Sequence, residues 1–192
     1  MKIKMIAKIQ SGFISRGKID PRDDGTCLLL QAKDVDADHL SYRTDALVRF
    51  MPRLSGKERL LKPGDILFMA RGAGSFSVLI DKLPDSVLAA ACFFVVRISN
   101  PEILPEYLWW YLNQSPVEEY LKRFSGRGVH MPVVRRAVLE SIDIPLPPIK
   151  TQKQVSEMTM LLQKEQYLYK KLAEKRKNLM TEICMRATSK RD

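Results

Sequence analysis

From Ile149 to Asp192 the chain contains neither glycine nor proline, and "PLPP" stands immediately before it at residues 145–148. Proline fixes φ and biases the residue before it away from the α region, so this short spacer ends the preceding strand-like segment and sets an exit direction. The residues that follow repeat with a heptad period. Val155, Leu162, Tyr169 and Ile183 fall at position a, and Met158, Leu172 and Leu179 at position d; Arg176, Glu165 and Arg186 interrupt a seam that is apolar at seven of ten positions. One helix of some 35 residues would span about 50 Å, longer than a small domain is wide. It cannot bury such a stripe on its own domain along its whole course, so a partner helix is expected.

The part before the spacer reads as a globular domain. The chain has 192 residues, of which 45% are hydrophobic, enough for one core plus an appendage. Its longest apolar run, "VLAAACFFVV" (87–96), is about half of the roughly 20 residues a membrane span requires. No basic-then-apolar leader opens the sequence, so a cytoplasmic protein with no membrane partner is expected. Cys27, Cys92 and Cys184 are odd in number and widely spaced, and His39 and His130 lie far apart with no acidic cluster beside either. The pattern implies neither a disulfide framework nor a metal site, and no cofactor is expected.

Strand and turn signals fill roughly the first 100 residues. "CLLLQ" (27–31) follows the turn-like "PRDDG", "ALVRFM" (46–51) ends at Pro52, and "DILFMA" (65–70) follows the turn "KPG". "RGAG" joins that strand to "SFSVLI" (75–80), and "AACFFVVRI" (90–98) predicts a strand buried on both faces. Helices come next. Pro105 suits the first position of "EYLWWYLNQ", where Leu108, Tyr111 and Leu112 share a face; "SPVEEYLKRF" makes a second helix, and "VVRRAVLESI" a short third one before "IDIPL". The fold class expected is a mixed α+β domain over residues 1–149, a long helix over 150–187 and a basic tail at 188–192.

A net charge of +10, shared between the two parts, favours a polyanionic partner. Candidate contacts lie in loops. Arg16 and Lys18 belong to "SGFISRGK", Gln31 and Lys33 to a strand end, Arg71 and Ser75 to the turn "RGAGS", and Arg127, His130 and Arg135 to "SGRGVHMPVVRR". Arg and Lys suit guanine edges and phosphates, and Gln suits adenine. The bland alternative for each is a solvated loop, or a hairpin turn in the case of "RGAG". Its glycines match neither a phosphate-binding P-loop nor a dinucleotide fingerprint. "YLWWYL" has the spacing of core packing rather than of a base-stacking platform. His130 lacks a nominated nucleophile or orienting carboxylate, and no catalytic constellation is visible elsewhere, so the chain is not expected to be an enzyme.

Four stretches, "AKIQSGFISRGKI", "KPGDILFMARGAGSFSVL", "PEYLWWYLNQ" and above all "SIDIPLPPIKTQKQV" before a long helix, together resemble the specificity subunits of type I restriction-modification systems. The resemblance covers nearly the whole chain. It implies a target-recognition domain reading one half of a split double-stranded DNA site, and a spacer helix that docks an adenine methyltransferase subunit and, through it, an endonuclease subunit. Such subunits usually carry two recognition domains and two spacer helices that form an antiparallel coiled coil. This sequence has one of each, which implies a half-length form whose copies pair as a homodimer through residues 151–187, the competing explanation being a piece cut from a longer subunit. The rival reading is a coiled-coil adaptor with a basic head that binds protein and has no base preference.

Overall fold

The computed structural model describes residues 1–15, 17–38, 40–52, 59–72, 74–84, 86–124 and 133–189. By internal contacts the chain divides into two units, Met1–Lys153 and Gln154–Asp192. In the first unit, β1 (Ala7–Ser11) precedes β2 (Cys27–Leu30), the small hairpin β3 (Val35–Asp36) and β4 (Ser41–Tyr42), and β5 (Val48–Phe50). Then come β6 (Ile66–Met69), β7 (Ser77–Leu79), β8 (Val87–Ala89) and β9 (Phe93–Ile98), followed by α1 (Pro105–Leu112), α2 (Ser115–Phe124) and α3 (Arg136–Glu140).

Four strands form an antiparallel sheet in the order β1-β9-β6-β7, and three more form a sheet in the order β5-β2-β8, in which β2 and β8 run parallel. Side chains alternate across a strand, so each face of the larger sheet has its own role. Leu67, Met69, Val78, Phe93 and Val95 pack against Leu28, Leu30, Val87 and Ala89 of the smaller sheet. Ile66, Phe68 and Val96 are buried as well. Successive burial at Val95 and Val96 bears out the expectation that this strand is covered on both faces.

Its start differs from the sequence expectation. Ala90–Cys92 is a turn, because the chain there leaves the smaller sheet at β8 and joins the larger one at β9: the Ala90 amide donates to Leu30 O at 2.8 Å and the Phe93 amide to Ala90 O at 3.0 Å. Small apolar residues are ambiguous between strand and turn, which merged two strands into one run.

Local chemistry accounts for the other boundaries. In "KPGD" Gly64 has φ +90 and the Asp65 amide closes on Lys62 O at 3.0 Å, as expected of a turn with proline and glycine at its centre. Pro105 opens α1, whose Tyr107, Leu108, Trp109 and Leu112 are buried, so this aromatic stretch is core. Below β6, Asp65 is almost fully buried and forms a bidentate pair with Arg97 of β9, from Nε to Oδ1 at 2.7 Å and from Nη2 to Oδ2 at 2.6 Å.

The final strand-like stretch pairs with the opening residues, with the Ile3 amide donating to Ile142 O at 3.0 Å and the Ile144 amide to Met1 O at 2.8 Å. Helix α4 (Ile149–Ser189) then runs for 41 residues, about 60 Å at 1.5 Å each. Of its expected seam Val155 is half-buried, whereas Met158, Leu162, Tyr169, Leu172, Leu179 and Ile183 are between 47% and 71% exposed in the single chain. No helix among the described residues is long and apolar enough to cross a membrane.

Candidate nucleic-acid interface

The turn at Ala90–Cys92 is where the loops of the domain converge. The Gly12 amide donates to Phe93 O at 3.0 Å and the Phe13 amide to Ala89 O at 2.7 Å, which fixes the start of the loop carrying Lys18. Gly12 is obligatory there, because a Cβ would lie 2.0 Å from Ala90 O. Leu30 meets the same turn through Ala90 and is followed directly by Gln31 and Lys33. The amides of Ala70 and Arg71 both donate to Cys92 O, at 2.8 and 3.2 Å. Val134, beside Arg135, donates its amide to Ala70 O at 2.9 Å, and Val133 bridges Arg71 in antiparallel fashion. Four loops distant in sequence are therefore tied to one end of the two sheets.

Lys18, Lys33, Arg71 and Arg135 are exposed, and Gln31 and Ser75 are half-buried. None of these four cations enters an ion pair recorded among the described residues. The backbone of Gln31 is committed to its own turn: its main-chain N–H donates to Asp34 Oδ2 at 2.9 Å and its main-chain carbonyl accepts the Asp34 amide at 3.0 Å. The Cys92 thiol sits among these groups. Burial pushes its pKa up, and the backbone around Cys92 and Ala32, together with the Arg71 guanidinium, pulls the other way. Arg16, Arg127 and His130 lie outside the described residues.

The turn bearing Arg71 and Ser75 is held on its far side by residues that the sequence did not nominate. Asn113, just past α1, uses its side-chain amide as a substitute strand on the sheet edge: Oδ1 accepts the Ser77 amide at 2.7 Å while Nδ2 donates to Ser77 O at 3.1 Å and to Ser77 Oγ at 2.9 Å. Trp109 Nε1 donates to the same Ser77 carbonyl at 3.0 Å. An exposed edge is thereby closed against other strands, and Ser75 lies two residues before the clamp. The Met69 amide donates to Phe76 O at 2.8 Å and completes the hairpin. Polar residues at 3.6-residue spacing beside a hairpin were the available signal, but the pairing itself is not local.

A family model described as the type I restriction modification DNA specificity domain matches residues 1–175. The chain belongs to that family. The type I restriction enzyme MjaVIII specificity subunit of Methanocaldococcus jannaschii is 24% identical over 117 residues, which cover 61% of this chain and 26% of that protein. Among solved structures, the HsdS subunit of Thermoanaerobacter tengcongensis superposes with a TM-score of 0.60 at 17% identity, covering 85% of this chain and 36% of that one. A chain from a structure describing complex assembly and conformational transition of the type I R-M system gives a TM-score of 0.68 at 16% identity, covering 95% and 42%. The type I S subunit of M. genitalium gives 0.59 at 13% identity, covering 95% and 43%. These structures share the fold of this specificity-family domain with its long terminal helix. The chain spans about a quarter of the relative's length and roughly two fifths of the structural neighbours'.

Proposed function

We propose that this chain is a non-catalytic DNA reader that binds one half of a split duplex site and docks an adenine methyltransferase subunit, through which an endonuclease subunit joins. The observation that carries the reading is that the loops of Lys18, Gln31, Lys33, Arg71 and Ser75 are tied to the Ala90–Cys92 turn or its flanks, and that of Arg135 to Ala70 and Arg71 beside it. Lys18, Lys33, Arg71 and Arg135, with no acidic partner among the described residues, would neutralise phosphates, and Gln31, Arg71 and Ser75 are of suitable chemistry to reach base edges. Arg16, Arg127 and His130 belong to the same proposal by their place in the sequence, near Lys18 and Arg135.

Helix α4 supplies the second part. Its seam, exposed at Met158, Leu162, Tyr169, Leu172, Leu179 and Ile183 and half-buried at Val155, suits an antiparallel coiled coil with a second copy, so that two readers face an inverted repeat at a fixed separation. Leu161 and Leu168 are exposed beside that seam, which makes the apolar face wider than a strict two-stranded contact needs and leaves room for a docked methyltransferase subunit. In this scheme 1–149 reads DNA, 150–187 spaces and pairs, and 188–192 adds positive charge. Methyl transfer and cleavage belong to the other subunits.

Salt-dependent binding to mixed-sequence duplex DNA tests the interface. The affinity is expected to fall with salt, and Lys33→Ala, Arg71→Ala and Arg135→Ala each to weaken it and flatten the log–log slope by about 0.9 per lost phosphate contact. Binding unchanged in all three variants would remove this face from the account and favour a protein-binding head.

A further inference from the structure

Gln152 lies within the first turn of α4 and is fully buried. Its Oε1 accepts the Leu104 amide at 2.9 Å, and its Nε2 donates to Glu102 O at 2.8 Å and to Pro147 O at 2.9 Å. The partners come from two separate places, the connection between β9 and α1 and the proline spacer. Both amide hydrogens and the carbonyl are thus engaged, which fixes which way the amide points. An amide that lost these partners would leave buried polar atoms unsatisfied, so the site holds one arrangement strongly.

Filling space would not require this chemistry. A methionine would occupy a similar volume with no polar atom to satisfy. Three directed hydrogen bonds instead fix both the position and the rotation of the turn that carries them. The neighbouring backbone adds to the restraint: Tyr107 Oη donates to Pro145 O at 3.0 Å, and the amides of Thr151 and Gln152 donate to Pro148 O at 2.9 and 3.1 Å. Every tether lies within the first unit, Met1–Lys153.

We propose that Gln152 is a positioning residue that sets the angle at which α4 leaves the recognition domain, and thereby the separation of the half-sites; this rests on the half-site reading above. The lever arm explains why a single side chain matters. Over a helix of about 60 Å, a swing of roughly 10° at the first turn moves the far end by about 10 Å, which is some three base-pair steps at 3.4 Å each. A spacer that measures DNA cannot tolerate that play.

Electron-spin distance measurements on the full chain test this without DNA. Cys27, Cys92 and Cys184 are replaced by serine, labels are placed at Lys8→Cys and Lys164→Cys, and labelled chain is diluted into unlabelled chain so that only distances within one chain are read. The parent is expected to give one narrow distribution, and Gln152→Ala one at least twice as broad. Gln152→Glu should broaden it too, since a carboxylate keeps the Leu104 contact but faces two carbonyls. A control pair at Lys8→Cys and Glu118→Cys, both within the domain, should not change; if it broadens in Gln152→Ala, the volume-preserving Gln152→Met decides. Equal widths in parent and variants, or a parent already broad, would overturn the proposal. Because no DNA is present, a failure of DNA reading and a failure of the joint are separate results.

Discussion

Breaking the Asp65–Arg97 pair from its two ends should cost different amounts. The side chain of Asp65 is 2% exposed and that of Arg97 27%. Removing one partner of a buried pair costs roughly 3–5 kcal/mol, most of it from the charge left behind. Asp65→Ala leaves a cation that keeps the Leu60 carbonyl, an acceptor at 2.9 Å, and can reach water along its own stem. It also strands the Lys62 amide, which now donates to Asp65 Oδ2 at 2.8 Å. A cost near the lower limit, about 3 kcal/mol, is expected. Arg97→Met leaves a carboxylate with almost no access to solvent, and about 4–5 kcal/mol is expected. The pair Asp65→Leu with Arg97→Met should cost less than Arg97→Met alone, because no unpaired charge is left. At roughly 3 °C per kcal/mol the single variants should lose on the order of 10 °C in Tm. Urea unfolding followed by tryptophan fluorescence is the assay: both tryptophans, Trp109 and Trp110, lie in α1, so the signal reports the domain and not the long helix. Equal costs for the two single changes, or a double variant as unstable as Arg97→Met, would refute the argument from unequal burial.

Asn113→Ala removes the side-chain oxygen that accepts the Ser77 amide while Trp109 still serves the Ser77 carbonyl, so a loss of about 2 kcal/mol is expected in the same urea assay, with Trp109→Phe milder. Tyr42 Oη donates to Asp81 Oδ1 at 2.5 Å and accepts the amides of Asp81 and Lys82; burial first, and then the hydrogen bond to Asp81, raises its pKa above the ordinary value of about 10. Its contribution is complete below that ordinary value and is lost as pH rises through the folded one, because the unfolded chain gives up its proton first. Alkaline unfolding should therefore be shallower in Tyr42→Phe. Iodoacetamide followed by mass spectrometry should find exposed Cys184 modified about tenfold faster than Cys92, whose thiol is half-buried and pushed up by burial.

What the sequence made legible was local. Helix α1 was visible because Pro105 marks its start and Leu108 and Leu112 repeat at helical spacing, and α4 because an uninterrupted heptad follows a proline spacer. The turn "KPG" announced β6 by the same logic. What stayed hidden needs partners far along the chain. Asp65 and Arg97 are 32 residues apart, Ser77 and Asn113 are 36 apart, and Gln152 reaches back 48 and 50 positions to Leu104 and Glu102. In each case a polar residue in a plausible surface context turned out to be satisfied inside the fold. The candidate loops could be named one by one from their cations and glycines. Their attachment around one end of the two sheets depends on the crossing between those sheets, which apolar Ala90, Ala91 and Cys92 concealed within a single strand-like run.

Selection of duplexes from a random-sequence DNA library by the purified chain, alone and together with the proposed methyltransferase partner, addresses the central claim most directly. Two inverted half-sites separated by a gap of constant length and free sequence are expected among the recovered duplexes. Recovery without any sequence preference, or a single ungapped site, would contradict it.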